Sequence, residues 1–152
     1  MKADGAFRHI LLALVLAVIC YAFFYRNIEN RRIRKGPWQV TFTANTNQEA
    51  LLVINQSKLA ITNVQICFSG QPLPASNVST TMVFNVPQPV PYEVPFGKCL
   101  FMDTTFLPGT VTFSLFGHEV ELLGRVLVID RQEHPWVSES AITLHPLPAQ
   151  TQ

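Results

Sequence analysis

Charge is the property that this 152-residue sequence has least of. Charged side chains make up 14% of the residues, against about 25% in an average globular protein, while hydrophobic residues make up 48%. This composition excludes a disordered acidic or basic protein. The net charge of +1 creates no overall positive field, so we expect no nucleic-acid partner.

The sequence also lacks the motifs that identify common enzymes and cofactor sites. It has no Gly-x-Ser-x-Gly turn, phosphate loop, dinucleotide fingerprint, zinc ribbon or paired-cysteine redox motif. The segment from His118 to Leu122 begins like a zinc-protease helix but has no second histidine. We therefore expect no cofactor and no metal, and we assign no catalytic residue.

Proline is absent from the first 36 residues and occurs eleven times after them. Charge changes sign at the same point, since residues 1–35 carry a net charge of +5 and residues 36–152 carry −4. Two segments of different character therefore meet near Gly36. The predicted organisation is a short N-terminal tail (1–9), a transmembrane anchor (10–25), a basic juxtamembrane stalk (26–36), a β-domain (37–147) and a C-terminal tail (148–152).

Residues 10–25 form an unbroken apolar run. As a helix the run spans roughly 25 Å, slightly less than the hydrocarbon core of a bilayer, and Arg8 and Arg26 on either side can extend it by snorkelling. A buried core helix is disfavoured because the run has no polar face for solvent. The run also ends in a poor signal-peptidase site, so we predict an uncleaved, single-pass anchor.

Positive charges follow the apolar run more densely than they precede it. We predict that they lie at the membrane surface, where each contributes on the order of 1 kcal/mol of attraction to anionic lipid; a solvated stalk is the alternative. The residues are Arg26, Arg31, Arg32, Arg34 and Lys35. The positive-inside rule alone would put the β-domain in the cytoplasm. Small β-domains commonly follow an anchor whose amino terminus stays inside, so we expect an extracytoplasmic domain, in the periplasm or at the cell surface.

After residue 36 apolar and polar residues alternate with the period of two that is typical of strands. Turn signals recur at spacings of roughly 8–12 residues, and no helical period is sustained. Residues 126–129 are apolar on both faces and predict a central strand, and residues 141–144 predict an edge strand. The fold class is therefore all-β: a small antiparallel β-sandwich, or a barrel, preceded by one transmembrane helix.

The low charge of the β-domain predicts a covered surface. Residues 36–152 have only 12 charged side chains, fewer than a lone soluble domain usually exposes, so we expect a protein partner, a second copy or the bilayer to cover part of it. The proline-rich segment 86–96 cannot be a central strand, because prolines remove ladder donors. We predict an extended crossing of one end or edge of the sandwich, either as a rigid connection or as a docking arm.

Candidate chemistry in the β-domain rests on three polar residues. Glu119 and Glu121 should share one strand face about 7 Å apart, where paired carboxylates can act as acid and base or bind a cation; a solvated outer face is the alternative. His134 lies in the polar segment 130–136. Together with the two glutamates it could form a hydrolase-like site. The alternative is that this segment is a solvated loop.

Two aromatic residues and two cysteines complete the candidates. Tyr92 and Trp136 fall in predicted loops and could stack on a sugar, or instead anchor the ends of the sandwich. Trp38 alternates in phase with Val40 and is assigned to the core. Cys67 and Cys99 would form a disulfide worth about 2–4 kcal/mol in an oxidising compartment, or remain separate thiols.

These observations favour a membrane-anchored, non-enzymatic β-sandwich interaction module, such as an accessory subunit of an envelope or secretion assembly. The expected partners are the lipid bilayer and a protein or a second copy of the chain. A carbohydrate- or small-ligand-binding module is the first alternative, and a metal- or carboxylate-dependent hydrolase is the second.

Overall fold

The computed structural model of the chain describes residues 3–73 and 79–147. The chain divides into two compact units, with the boundary in sequence between Arg34 and Lys35. The described elements are α1 (Ala3–Ile33), β1 (Trp38–Ala44), β2 (Glu49–Gln56), a 3-10 turn (Ser57–Leu59), β3 (Ile61–Pro72), β4 (Thr80–Phe84), β5 (Tyr92–Val94), β6 (Gly97–Asp103), β7 (Thr110–Leu115), β8 (His118–Leu122), β9 (Val126–Ile129), β10 (Gln132–Pro135) and β11 (Ala141–Leu144).

The helix α1 runs without a break through the predicted anchor and most of the predicted stalk. It is long and apolar enough to cross a membrane, by length and composition, and none of its most apolar stretch is buried. Near its end Glu29 and Arg32 form an i,i+3 ion pair with an N–O distance of 3.7 Å. The helix ends at Ile33, three residues before Gly36, whose φ of +71° suits a chain leaving a helix, and Pro37 could not continue it.

The strands form two sheets that pack as a β-sandwich, which confirms the predicted fold class. Sheet 1 has the order β11-β3-β2-β1-β4, and sheet 2 has the order β10-β9-β8-β7-β6-β5. Every neighbouring pair is antiparallel except β11 and β3, which are parallel. The exception arises because the chain enters β11 from β10 in the opposite sheet, so no hairpin sets the direction of β11.

The core lies between the sheets and follows the predicted alternation. In β1 the side chains of Trp38, Val40 and Phe42 are fully buried, while those between them face outward. Phe113 of sheet 2 packs edge-on against Phe42 of sheet 1, with ring centroids 6.2 Å apart. Trp38 closes one end of the core and donates its indole N–H to the carbonyl oxygen of Gly109 at 3.2 Å. Burial of each large side chain contributes roughly 1.5–3 kcal/mol.

Three predicted elements differ from the structure in detail. The proline-rich segment 86–96 contains the short edge strand β5, which pairs with β6, and the polar segment 130–136 contains β10. Strand β9 lies inside sheet 2, as expected, but only Leu127 and Ile129 are fully buried. Val126 and Val128 are half-buried on the outer face, so β9 is central within the sheet while its outward side chains stay partly exposed.

Candidate functional site

Glu119 and Glu121 lie together on the outer face of sheet 2, as predicted. The intervening Val120 points into the core. Because side chains alternate along β8, both carboxylates point away from the core. Partial burial, followed by a hydrogen bond and the negative charge of Glu119, raises the pKa of Glu121. Glu121 therefore takes up a proton more readily than an isolated glutamate does.

In the part of the chain that the structure describes, no third side chain lies beside this acidic pair of glutamates to complete a metal site. In the described residues, no group of three or more His, Cys, Asp or Glu side chains is placed to hold a metal ion. Across the sheet, Glu119 is paired with Ser114, and Glu121 is paired with Thr112 and Val128. The two glutamates share the outer face of sheet 2 with other charged side chains, among them Lys98 and Glu133.

His134 does not join the acidic pair, so the hydrolase-like site is not formed. In β10, Glu133 pairs with Val128, which also pairs with Glu121, and these three residues share the outer face. His134 pairs with the buried Leu127. Since alternate residues face opposite sides, His134 lies on the other face of sheet 2 from Glu121.

Tyr92 and Trp136 lie at opposite edges of sheet 2 and cannot form one sugar-stacking platform. Tyr92 is in β5 and Trp136 directly follows β10, so the six-stranded sheet separates them by roughly 24 Å. Each has a structural role. Burial and a hydrogen bond to Cys99 raise the pKa of Tyr92, while Trp136 packs on Trp38 at 5.1 Å and donates to the Leu123 carbonyl at 2.8 Å.

The disulfide hypothesis is wrong for this structure, in which Cys67 and Cys99 are free thiols. The buried neighbours of Cys67 in β3 point into the core, so the half-exposed Cys67 faces the outside of sheet 1. Cys99 is fully buried between the sheets. A bond would require β3 to shift its register by one residue and turn its apolar side chains to solvent.

Each thiol has its own local partners. Cys67 accepts a hydrogen bond from the Asn45 amide at 3.3 Å and lies 3.8 Å from a Glu49 carboxylate oxygen. Burial and the Glu49 charge raise the pKa of Cys67. The Gly70 N–H and the Asn45 amide donate to Glu49 and lower the pKa of its carboxyl. Burial likewise raises the pKa of Cys99. A raised pKa makes both thiols poor nucleophiles at neutral pH.

The five predicted membrane-surface cations lie at the end of α1 and in the turn after it. All are exposed except Arg32, which is half-buried beside Glu29. Arg31 and Arg32 occupy the last turn of the helix, where positive charge complements the helix dipole.

A buried histidine is the polar feature that the sequence patterns did not single out as a site. His118 is 4% exposed; its Nδ1 lies 2.6 Å from Asp130 Oδ2, and its Nε2 lies 3.1 Å from the His145 carbonyl oxygen. Asp130 Oδ1 also accepts from the Glu119 N–H at 2.9 Å. The histidine thus connects β8 to the β9–β10 turn and to the segment after β11. One feature of the sequence pointed to this site: position 118 alternates in phase with Val120, which places the histidine at a core position. A buried histidine requires polar partners.

Exposed apolar side chains concentrate along one side of the sandwich. Six of the eight large hydrophobic side chains that are exposed in residues 35–73 and 79–147 fall between positions 83 and 106. We call these six the apolar edge: Val83, Val86, Val90, Leu100, Phe101 and Phe106. They belong to the edge strand β4, the proline-rich crossing, and β6 with the loop that follows it.

A cavity of about 350 Å³ opens at one end of the sandwich. Its aromatic walls are Phe42, Phe96 and Phe116, and it is completed by Thr43, Leu73, Thr80 and Pro95. We call it the end pocket. The turns that contribute Phe96 and Phe116 are adjacent, because β6 and β7 are paired.

Comparisons with protein families, with curated proteins and with solved structures found no match to this chain.

Proposed function

We propose that the chain is a membrane-anchored, non-enzymatic interaction module whose β-domain is extracytoplasmic and acts as an accessory subunit of a larger assembly. The observation that carries the proposal is the apolar edge. Water-exposed apolar side chains that are gathered on one side, rather than scattered, are typical of a protein contact surface. The opposite edge, at β10 and β11, has no comparable group in the described residues.

The strand edges on this side support docking by an extended peptide. Strand β5 pairs only with Gly97–Cys99 of β6, so residues 100–103 have no described strand on that side. Strand β4 is the outermost strand of sheet 1. Backbone groups at such edges can pair with an added strand. A strand added to β6 would lie beside Leu100 and Phe101, and one added to β4 would lie beside Val83.

The anchor supports a location at the membrane. Helix α1 has the length and composition of a membrane span, and the exposed cations that follow residue 25 are suited to lipid headgroups. Anchoring would hold the apolar edge near other membrane components at a high local concentration, so a modest affinity would be sufficient.

The proposal is tested by site-specific photocrosslinking of the full chain in native membranes. A photoreactive phenylalanine at position 101 should form a defined adduct with a partner protein or a second copy, and the double variant Val83→Ser and Phe106→Ser should reduce that adduct at least five-fold. The matched control is the same photoreactive residue at position 137, because Val137 is equally apolar and 54% exposed but lies outside the apolar edge. Equal adducts from positions 101 and 137 would contradict the assigned surface, and release of the chain by alkaline carbonate would contradict the anchor.

A further inference from the structure

Two tight turns at one end of sheet 2 carry phenylalanine in a backbone conformation that disfavours it. The turn between β5 and β6 has Phe96 at a φ of +75°, and the turn between β7 and β8 has Phe116 at +51°. Two-residue hairpin turns favour glycine or asparagine where φ is positive. A left-handed conformation is unfavourable for a residue with a Cβ, because the Cβ comes too close to the following carbonyl oxygen.

Phe96 and Phe116 contribute their rings to the same wall of the end pocket. The Phe96 and Phe116 rings stack with centroids 5.5 Å apart and an interplanar angle of 27°, and Phe96 also meets Phe42 of sheet 1 edge-on at 5.4 Å. Six other non-glycine residues in the described chain also have a positive φ; what distinguishes Phe96 and Phe116 is that both rings line the same space.

The rings do not fill the space that they enclose. The end pocket keeps about 350 Å³, within the range of small-molecule sites, although both ring-bearing residues are only half-buried. A structural plug would close this space, because packed interiors leave few voids larger than a water molecule. The two turns therefore hold their rings as the wall of an open pocket rather than as a closed cap.

The residues that line the end pocket determine which kind of ligand it can bind. None of the described lining residues is charged, and the polar ones are two threonines, Thr43 and Thr80. A charged group would lose hydration here without gaining a partner, and a sugar would leave most of its hydroxyl groups unpaired. Aromatic rings, Leu73 and Pro95 instead offer carbon contacts over the length of the cavity.

We propose that the end pocket binds an uncharged ligand with a hydrocarbon chain. This binding goes beyond the docking proposed above and uses different residues, so either proposal can fail without the other. The chain could come from a bilayer lipid or from a free apolar molecule, and the chemistry of recognition is the same for both.

The test uses the full chain in lipid nanodiscs with an uncharged long-chain alcohol that carries a photoreactive diazirine. Peptide mass spectrometry should find adducts at the end pocket, and excess unlabelled dodecanol should compete them away. Leu73→Trp, which adds a large ring to the lining, should reduce pocket adducts at least ten-fold. Adducts on α1 serve as the internal control and should be unchanged. Val137→Trp, an equally large substitution at an exposed site away from the pocket, should leave both sets of adducts intact.

Two further measurements keep the result decisive. Phe96→Trp fills the pocket from another wall, so it tests the same point if Leu73→Trp fails to fold. A photoreactive phosphatidylcholine in the bilayer then separates the sources: pocket adducts with both probes indicate a lipid chain, and adducts with the alcohol alone indicate a free molecule. Absence of saturable pocket adducts in the folded wild-type chain, or their survival in both filled variants, would overturn the proposal.

Discussion

At the scale of single residues, polar side chains connect parts of the domain that are distant in sequence. His118 presents both ring nitrogens to acceptors, one on the Asp130 carboxylate and one on a backbone carbonyl. The Asp130 carboxylate makes its hydrogen bond with the buried ring charge-assisted. The sequence could show that position 118 faces the core, but not that Asp130 and His145 converge on it, because their convergence depends on the sheet topology.

Asp130→Asn tests this pair with little change of shape. Asparagine tolerates the positive φ of 49° at this position and can still accept from Glu119, but it removes the negative charge that faces His118. We expect the free energy of unfolding to fall by about 1.5–3 kcal/mol, measured by urea denaturation of the full chain in detergent. Glu133→Gln removes a carboxylate from the same turn region and should change stability by less than about 0.5 kcal/mol. Equal effects of the two variants would show that the pair is not specific.

Two glutamates should affect stability in opposite directions at neutral pH. The folded protein raises the pKa of Glu121 and lowers that of Glu49. A raised carboxyl pKa means that the ionised group opposes folding above that pKa, whereas a lowered pKa means that ionisation favours folding above the unfolded value. Thermal unfolding at pH 7.5 should therefore give a higher Tm for Glu121→Gln and a lower Tm for Glu49→Gln than for the wild-type chain.

The pH dependence separates these charge effects from changes in packing. The Glu49 contribution is lost as pH falls through its folded pKa, and the Glu121 cost is relieved as pH falls through its own raised folded pKa. Both Tm differences should shrink towards zero at acid pH, where the two carboxyls are protonated in the folded and unfolded states. A difference that stays constant with pH would exclude the carboxyl charge as its cause.

At the scale of elements, strands with strict alternation of apolar and polar residues were predictable. Strands with an unusual local composition were not. The runs around Val40, Phe113 and Val120 show a buried face with a period of two, so the strands that contain them were predictable. Strand β5 lies among prolines and β10 among polar residues, so neither has an apolar face to reveal it. Parallel pairing of β11 with β3 was not predictable, because the chain crosses between sheets before β11 and no turn sequence records the direction.

The pairing of β6 with β7 depends on a close backbone approach at Gly97. A Cβ at this position would lie 2.0 Å from the carbonyl oxygen of Ser114, whereas a Cβ at Gly124 would meet only a Pro108 side-chain atom at 4.0 Å. Neither glycine has a positive φ, so the pair isolates the clash. We expect Gly97→Ala to reduce the free energy of unfolding by about 1–3 kcal/mol and Gly124→Ala to leave it nearly unchanged. Equal denaturation midpoints for the two variants would contradict the close approach of β6 to β7 at this residue.

The connection from β10 to β11 is held by Trp136, which separates a structural role from sugar binding. Trp136→Ala removes the contact with Trp38 and the bond to Leu123, so we expect a loss of about 3 kcal/mol or more. Trp136→Phe keeps an aromatic ring and loses the indole donor, which should cost about 1 kcal/mol. The measurement is urea unfolding, with glycan-array binding of the Phe variant as the control. Wild-type glycan binding that Trp136→Phe abolishes without loss of stability would restore the sugar-binding interpretation.

At the scale of the whole molecule, the helix and the β-domain differ in how much apolar side-chain surface each exposes. The helix exposes its large apolar side chains on every side, while the β-domain buries most of its own and leaves the apolar edge. Charge divides in the same way, positive up to residue 35 and negative after it. This division was readable from composition alone, whereas the end pocket was not, because its walls come from strands and turns that are distant in sequence.

The free thiols provide one measurement of both folding and membrane topology. Cys67 is half-exposed on the outside of sheet 1, and Cys99 is fully buried, so a maleimide should modify Cys67 first and Cys99 only after unfolding. Because the pKa of Cys67 is raised, labelling should be faster at pH 8.5 than at pH 7. With a membrane-impermeant maleimide on intact cells, the proposed extracytoplasmic domain should be labelled at Cys67 before permeabilisation. Cys67→Ser should abolish that signal, which excludes Cys20 as its source. If Cys67 reacts only after permeabilisation, the positive charges after the helix have determined the orientation, and the apolar edge would then meet its partner in the cytoplasm.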